Sequence, residues 1–231
     1  RVQMLRERSL NAVPTLSTER AELMTRFYEQ HTALESIPVQ RARAFAYLME
    51  HKTISIQPGE LIVGEKGPGP KATPTYPELC CHSLQDLDLL DSREKIPFKV
   101  DADARELYAS RIIPFWRGRT MRELLFAEMT EEWKACYEAG IFTEFMEQRS
   151  PGHTVLDGKI YSKGMLDFKR EIEASLSGLD FLSDREAYAK QEELKAMSIC
   201  AEALIRFAGR HADRARELAA AESDPQRRNE L

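Results

Sequence analysis

The clearest hydrophobic pattern lies in the C-terminal third of the chain, where apolar residues recur every three or four positions. These residues are Leu194, Met197, Ala201, Leu204, Ala208, Ala212, Ala215 and Leu218. This spacing places them on one face of an α-helix, and Ser183 and Glu186 have the spacing of a capping box at its start. The pattern predicts a helix of about 35 residues, which is longer than usual in a globular domain. We expect its alanine-rich face to pack against another large element.

The first third of the chain is predicted to form three helices separated by proline and capping residues. Pro14 ends the first of them. Ser17 or Thr18 can cap a second helix, which runs to about Gln30. Pro38 suits the first turn of a third helix, where its missing N–H costs nothing. The apolar face of this third helix contains Ala42, Phe45, Ala46 and Met49.

A small β-hairpin is predicted between residues 54 and 64. Short β-branched runs at 54–56 and 61–63 flank Pro58-Gly59, and this combination is typical of two strands joined by a turn. Residues 64–77 hold four prolines and three glycines, so no regular element is expected there. We interpret that stretch as an ordered loop, because apolar and aromatic residues follow it directly.

Shorter helices are predicted through the middle of the chain. They cover residues 77–90, 101–110 and 120–129, and a further helix begins at Thr130 and ends at Gly140. Ser150-Pro151-Gly152 then indicates a loop within residues 142–154. The fold class that these patterns predict is mainly α with a small β-hairpin.

The composition argues against several classes of function. The net charge is −5 with both signs interspersed, so we expect no basic surface for nucleic acid. The apolar runs are much shorter than a membrane span, and no charged-then-apolar leader opens the chain. We therefore expect a cytoplasmic protein with no membrane partner. The four cysteines form no CxxC pair, so reduced thiols are favoured and no metal site is expected.

Few residues indicate chemistry by themselves. His153 follows Ser150-Pro151-Gly152 in the predicted loop, where a histidine can act as an acid, a base or a substrate anchor. An ordinary surface histidine is the more frequent case, by roughly three to one. Glu144 and Glu147 have the spacing to share one helix face, but solvated charge is far commoner than catalysis.

Cys80, Cys81 and His82 suggest a thiolate activated by a neighbouring imidazole. Adjacent residues in a helix point to different faces, however, so buried structural cysteines are the favoured interpretation. Residues 64–69 resemble a phosphate-binding loop only in their glycines, since the GKS/T ending is missing. From these residues alone, the sequence predicts a mostly helical protein and leaves its activity open.

Several stretches resemble the N-terminal region of glycyl-radical enzymes, the family that contains pyruvate formate-lyase and related dehydratases. They are residues 6–12 with 18–21, residues 59–64, and the run FTEFMEQRSPGHTV at 142–155. The last run is similar to the family's substrate-side loop. Residues 64–67, 74–78 and 80–82 resemble the hydroxyproline-dehydratase branch in particular, and the resemblance covers essentially the whole chain.

The resemblance implies a fold, an activity and two site residues. Residues 1–231 are expected to be the N-terminal part of a pyruvate formate-lyase (PFL) domain, the helical outer portion of a ten-stranded α/β barrel. The complete protein is expected to be a lyase that eliminates water from trans-4-hydroxy-L-proline by radical chemistry. Phe145 and His153 fall on positions that line the substrate pocket in that branch. The family would have His153 form a hydrogen bond near the departing hydroxyl.

The family's catalytic parts have no match in this chain. Its cysteines do not match the radical-cysteine loop, and no C-terminal glycine-radical motif is found, so no catalytic residue is assigned. The chain alone is expected to be inactive and to bind no cofactor directly. The resemblance implies that an S-adenosylmethionine and iron–sulfur activase installs the glycyl radical on the part that this chain lacks. The expected partners are a hydroxyproline-like substrate, that activating enzyme and a second copy in a homodimer.

Two alternatives stay open at this point. The first is a glycyl-radical lyase with another substrate, such as a diol dehydratase or a C–S or C–N lyase. The second is a helical binding module that kept the fold and lost the chemistry.

Overall fold

A computed structural model describes residues 1–31, 34–142 and 156–231, and these parts are mainly helical, as predicted. Helices α1 to α4 span Val2–Asn11, Glu19–Gln30, Ile37–His51 and Leu84–Ser92. Helices α5 to α8 span Ala102–Leu107, Ile113–Trp116, Met121–Glu128 and Glu131–Glu138. Helices α9 to α11 span Met165–Ser177, Ala187–Ala221 and Pro225–Glu230. A π-helical turn, Tyr108–Ile112, joins α5 to α6, and a 3₁₀ turn covers Asp157–Tyr161. In the described ranges, none of the helices is both long and apolar enough to cross a membrane.

Several helix boundaries lie where the sequence predicted them. Helix α1 ends before Pro14, and Pro38 lies in the first turn of α3. Thr120 starts α7 through a complete capping box with Glu123. Gly140 follows α8 with φ +73°, a left-handed conformation that commonly ends a helix. These local signals therefore place several of the helix ends correctly.

The predicted helix at 77–90 begins later than expected. Helix α4 starts after Ser83, whose hydroxyl and the Asp86 carboxylate form a capping box. The preceding residues are irregular because their carbonyls serve another helix. The Glu78 and Leu79 carbonyls accept hydrogen bonds from the first N–H groups of α7, over 2.9 and 3.0 Å.

The β-structure differs from the predicted hairpin. Two short strands, β1 Thr15–Ser17 and β2 Ala72–Pro74, pair in parallel, so the prediction of a hairpin at 54–64 is wrong. Pro58-Gly59 does form a turn. The Glu60 carboxylate accepts the Gln57 backbone N–H over 2.9 Å. Because the Glu60 side chain occupies the Gln57 N–H that strand pairing would use, no pair of strands extends from the turn.

The main core is formed by α2, α3, α4 and the helical stretch from α5 to α6. Its fully or nearly buried members include Ala21, Phe27, Ala44, Leu87, Val100, Ala104, Tyr108, Ile112 and Trp116. Two of its buried polar side chains are paired, as buried polar groups usually are. The Trp116 indole N–H donates to Thr25 Oγ1 over 2.8 Å, and the Tyr108 hydroxyl donates to Thr75 Oγ1 over 2.6 Å.

The π-helical turn keeps one face of α5 and α6 in the core. Ala104, Tyr108, Ile112 and Trp116 are spaced four residues apart, and all four are buried. In a continuous α-helix each such step rotates the side chain by about 40°, so the fourth residue would lie about 120° from the first. A π turn holds more residues per turn than an α-helix. It therefore offsets this drift and returns Trp116 to the core.

The predicted helix of about 35 residues is confirmed by α10, which has 35 residues and packs along α3. Small and branched residues, Val39, Ala42 and Ala196, form the buried contact between them. The predicted capping box at Ser183 and Glu186 is wrong. Glu186 itself occupies the N-cap position, and no side-chain hydrogen bond caps the helix there.

Arg210 clamps the end of α3 from the side of α10. Its guanidinium donates to the Met49 and Lys52 carbonyls over 2.6 and 2.8 Å. These are charge-assisted bonds to carbonyls at the negative end of a helix dipole.

We expect Arg210→Met to lower the free energy of unfolding by about 1–2 kcal/mol, measured by urea denaturation. Arg216→Met, at an exposed residue of the same helix, is the matched control and should cost less than about 0.5 kcal/mol. Equal losses in the two variants would contradict the clamp.

Candidate functional site

The two residues predicted to contact substrate, Phe145 and His153, lie in residues 143–155, outside the described residues. Glu144 and Glu147 lie in the same range. The structure describes Phe142 directly before this segment and Leu156 directly after it. The described residues that lead into this segment are therefore considered next.

A cluster of one arginine and four aromatic residues lies where the segment begins. We call it the anchor cluster, and its members are Arg122, Phe126, Trp133, Tyr137 and Phe142. The Phe142 ring contacts the rings of Trp133 and Tyr137, with centroids 5.2 and 5.9 Å apart. Phe126 meets Tyr137 edge to face at 4.8 Å. Edge-to-face packing of this kind is a favoured geometry for aromatic pairs.

Arg122 holds the anchor cluster together. Its Nη2 donates to the Tyr137 hydroxyl over 2.9 Å, and its guanidinium carbon lies 4.6 Å from the Phe126 ring centroid. A planar guanidinium can stack on one ring and form a hydrogen bond to another at the same time, which an ammonium group cannot do. Arg122 thus joins α7 to α8.

The start of α7 is tied to the irregular segment 75–82. That segment is held in turn by Arg20, whose Nη1 donates to the Thr75 carbonyl over 3.2 Å and to Glu78 Oε2 over 3.0 Å. The Arg20 guanidinium also lies 3.9 Å from the Tyr76 ring centroid. Contacts therefore run continuously from the core to the anchor cluster.

Cys80, Cys81 and His82 line a small pocket of about 160 Å³ beside the same helix, α7. Burial raises the pKa of the Cys81 thiol to about 12, and burial lowers the pKa of His82. Both groups are therefore neutral near pH 7. A thiolate activated by an imidazolium does not form here, and the interpretation of Cys81 as a structural thiol is favoured.

Cys81 should resist alkylation in the native chain. Because its folded pKa is about 12 and the ordinary value is 9.0, the unfolded thiol ionises first as the pH rises. The stabilisation from keeping the thiol neutral is complete below pH 9 and is lost as the pH rises towards 12. In a Cys80→Ser chain at pH 8, we expect iodoacetamide to label Cys81 at least tenfold faster in urea than in buffer, measured by mass spectrometry. Equal labelling rates would contradict this assignment.

Within residues 1–31, 34–142 and 156–231, no group of three or more His, Cys, Asp or Glu side chains is placed to hold a metal ion.

Cys136 and Cys200 are each followed two positions later by a glutamate. Both lie inside helices, α8 and α10. In a helix, residues two apart point to different sides, so neither pair brings its thiol and carboxylate together.

The chain belongs to the pyruvate formate lyase-like family of glycyl radical enzymes, whose model matches residues 1–231. It is 49% identical over 231 residues to trans-4-hydroxy-L-proline dehydratase of Clostridioides difficile, and this match covers 100% of the chain and 29% of the relative. It is 33% identical over 229 residues to isethionate sulfite-lyase of Oleidesulfovibrio alaskensis, covering 94% of the chain and 27% of that protein.

Solved structures show the same relationship. The crystal structure of the Clostridioides difficile hydroxyproline dehydratase, with trans-4-hydroxy-L-proline bound, matches 98% of this chain and 29% of its own with a TM-score of 0.93. The glycerol-bound glycerol dehydratase of Clostridium butyricum is 28% identical and matches 99% of the chain and 29% of its own with a TM-score of 0.89. The chain thus spans about three tenths of the length of these relatives.

Sequence reasoning did not find the anchor cluster. Trp133 and Tyr137 are four residues apart, and this spacing places two rings on one helix face just before the predicted loop. That signal was present in the sequence. The hydrogen bond from Arg122 to Tyr137 could not be predicted from the sequence, because it joins two helices across a turn.

Proposed function

We propose that this chain is the N-terminal part of a glycyl-radical dehydratase that eliminates water from trans-4-hydroxy-L-proline, and that Phe145 and His153 contact this substrate. The observation that carries the proposal is the 49% identity to a hydroxyproline dehydratase along the whole chain. The TM-score of 0.93 to that relative with its substrate bound adds support. Residues 1–231 form the first portion of a PFL domain, and the radical-bearing parts belong to the remainder.

The roles of the two side chains follow from their chemistry. A hydroxyl group is a poor leaving group, and an imidazole N–H directed at it stabilises the negative charge that develops as it departs. Phe145 provides an apolar wall for the pyrrolidine ring and keeps water away from the reacting carbons. The glycyl radical, carried by the remainder of the enzyme, supplies the removal of a hydrogen atom from the substrate. After water has been lost, a hydrogen atom is returned to the remaining radical, and the product is a cyclic imine.

The proposal also covers the partners of the complete protein. An activase that uses S-adenosylmethionine and an iron–sulfur cluster would install the radical, and the working enzyme would be a cytoplasmic homodimer. Inactivity of the isolated 231-residue chain belongs to the same proposal, since no catalytic residue is assigned within it.

The test uses the complete protein after anaerobic activation. We expect His153→Ala to lower kcat/KM for hydroxyproline at least tenfold, which corresponds to about 1.4 kcal/mol of lost transition-state stabilisation. His211→Ala is the matched control, because His211 lies on α10, where its ring contacts Phe207. Unchanged turnover in His153→Ala would remove the site assignment.

The substrate needs its own experiment, because the fold of this chain does not determine which substrate is bound. A glycerol dehydratase matches this fold with a TM-score of 0.89, and an isethionate sulfite-lyase is 33% identical. The activated enzyme should therefore be given hydroxyproline, glycerol and isethionate in parallel. Product from hydroxyproline alone is the expected result, and faster turnover of either other compound would replace the proposed substrate.

A further inference from the structure

We propose that a cavity between the start of α2, the end of α3 and residues 66–76 binds a small molecule with a phosphate head group and an apolar body. We call it the α2 cavity. Its volume is about 370 Å³, within the range of about 300–1,000 Å³ that is usual for small-molecule sites. The proposal goes beyond the proposed function and does not depend on Phe145 or His153.

A buried hydroxyl group without a partner lies at the α2 cavity. Ser17, the last residue of β1, lines the cavity and is only 8% exposed. Its hydroxyl forms no hydrogen bond to any residue that the structure describes. Buried polar groups usually have a partner. A phosphate oxygen bound in the cavity would accept the Ser17 O–H and supply the missing partner.

The N-terminus of α2 lies beside this hydroxyl. Helix α2 has 12 residues, and its N-cap residue, Thr18, makes no side-chain hydrogen bond within the described structure. Ser17, Glu19 and Arg20 line the cavity on either side of this N-cap. The first N–H groups of a helix and the positive end of its dipole favour phosphate. The start of α2 therefore provides donors next to the Ser17 hydroxyl.

Two lysines add positive charge to the α2 cavity. Lys52, at the end of α3, donates from Nζ to the Lys66 carbonyl over 3.2 Å, and its Nζ lies 5.3 Å from the Phe207 ring centroid. Lys66 is exposed and has no ion pair with any described residue. Arg20 also lines the cavity, but its guanidinium is paired with the Glu78 carboxylate. Lys52 and Lys66 are therefore the cations available to a phosphate.

One carboxylate, that of Glu19, also lines the cavity. It accepts the backbone N–H of Thr53 over 2.8 Å and the hydroxyl of the same residue. These two hydrogen bonds partly offset its charge, and Lys52 and Lys66 outnumber it. The cavity therefore keeps a positive balance in a chain whose net charge is −5.

The rest of the lining is largely apolar and indicates that the ligand is more than a free ion. Phe45, Leu48 and Met49 of α3 and Pro74 of β2 form this wall. Inorganic phosphate would leave the wall in contact with water, whereas an apolar body would cover it. The glycine-containing stretch 64–69 lacks the GKS/T ending of a phosphate-binding loop, yet it brings Lys66 to the same cavity.

The test is isothermal titration calorimetry on the complete protein without activation, so that no turnover occurs. The probe is phenyl phosphate, and its two halves are represented by inorganic phosphate and benzyl alcohol. We expect saturable binding of phenyl phosphate and at least tenfold weaker binding of each half. Absence of saturable binding would overturn the proposal. Equal affinity for inorganic phosphate would mean an adventitious ion only, and equal affinity for benzyl alcohol would remove the role of the charge.

Two variants locate the bound probe. We expect Lys66→Gln and Ser17→Ala each to weaken phenyl phosphate binding about tenfold, since each removes a hydrogen-bond donor to a charged group. Lys66 is exposed, so its variant should fold as the parent does. Lys95→Gln is the matched control, because Lys95 is exposed and does not line the cavity. Unchanged affinity in both Lys66→Gln and Ser17→Ala would place the probe elsewhere and overturn the proposal.

Discussion

Trp116→Ala is expected to destabilise the chain by about 3–5 kcal/mol, which is a large part of the stability of a typical domain. Trp116 is only 5% exposed. Its ring packs edge to face against Tyr28 and Phe115, and its N–H is paired with Thr25. Truncation therefore leaves a cavity and removes the partner of a buried hydroxyl. Urea denaturation followed by circular dichroism measures the change.

Trp133→Ala is the matched control, because the chain has two tryptophans and this one is 54% exposed. We expect it to cost less than about 1 kcal/mol. Trp116→Phe retains most of the packing, so it should fold even if the alanine variant does not, at a cost of about 1–3 kcal/mol for the lost hydrogen bond and volume. A Trp116→Ala chain as stable as Trp133→Ala would contradict the described core.

Gly67→Ala is expected to cost about 3 kcal/mol, at the upper end for overpacking by a single methyl group. A Cβ at this position would lie 2.3 Å from the carbonyl oxygen of Ala72, the first residue of β2. Backbone cannot move aside as a flexible side chain can, so the loop or the strand must shift. Because β2 pairs with β1, we expect the parallel sheet to be disturbed. Thermal unfolding of the 231-residue chain measures the loss.

Gly69→Ala provides the control for this substitution two residues further along. Nothing lies within 4 Å of a Cβ built at Gly69. Both variants remove one glycine from the same irregular stretch, so their effects on the unfolded chain should be alike. Only the contact with Ala72 differs. Similar melting temperatures for the two variants would show that the close approach is absent.

The helical part of the fold was predictable because its signals are local. Proline at position 38, the box formed by Thr120 and Glu123, and the alanine stripe of α10 each act within one or two turns. The parallel sheet was not predictable, since β1 and β2 are separated by more than fifty residues and each is three residues long. The hairpin prediction was wrong for a related reason. β-branched residues beside Pro58-Gly59 are compatible with strands, but the Glu60 carboxylate satisfies the turn locally.

The assignment of Phe145 and His153 as site residues rests on resemblance alone and stays a prediction. Phe145 and His153 have no property in this sequence that separates them from ordinary loop residues, and their assignment depends on a motif. The anchor cluster depends on the packing of two helices that meet across a turn, so Arg122 and Tyr137 lie fifteen positions apart in a sequence that shows no pairing signal. The pair Cys81 and His82 shows the opposite case. Its residues suggest chemistry, and burial makes both of them neutral.

The π-helical turn Tyr108–Ile112 also restricts how relatives of this chain can diverge. Deleting one residue there would let the turn relax to an α-helix and would rotate everything after it by about 100°. The indole of Trp116 would then face away from Thr25, and the start of α7 would leave the Glu78 carbonyl. Substitution at these five positions changes a side chain, whereas a one-residue gap in an alignment would mark a relative whose helices α7 and α8 start from a different place.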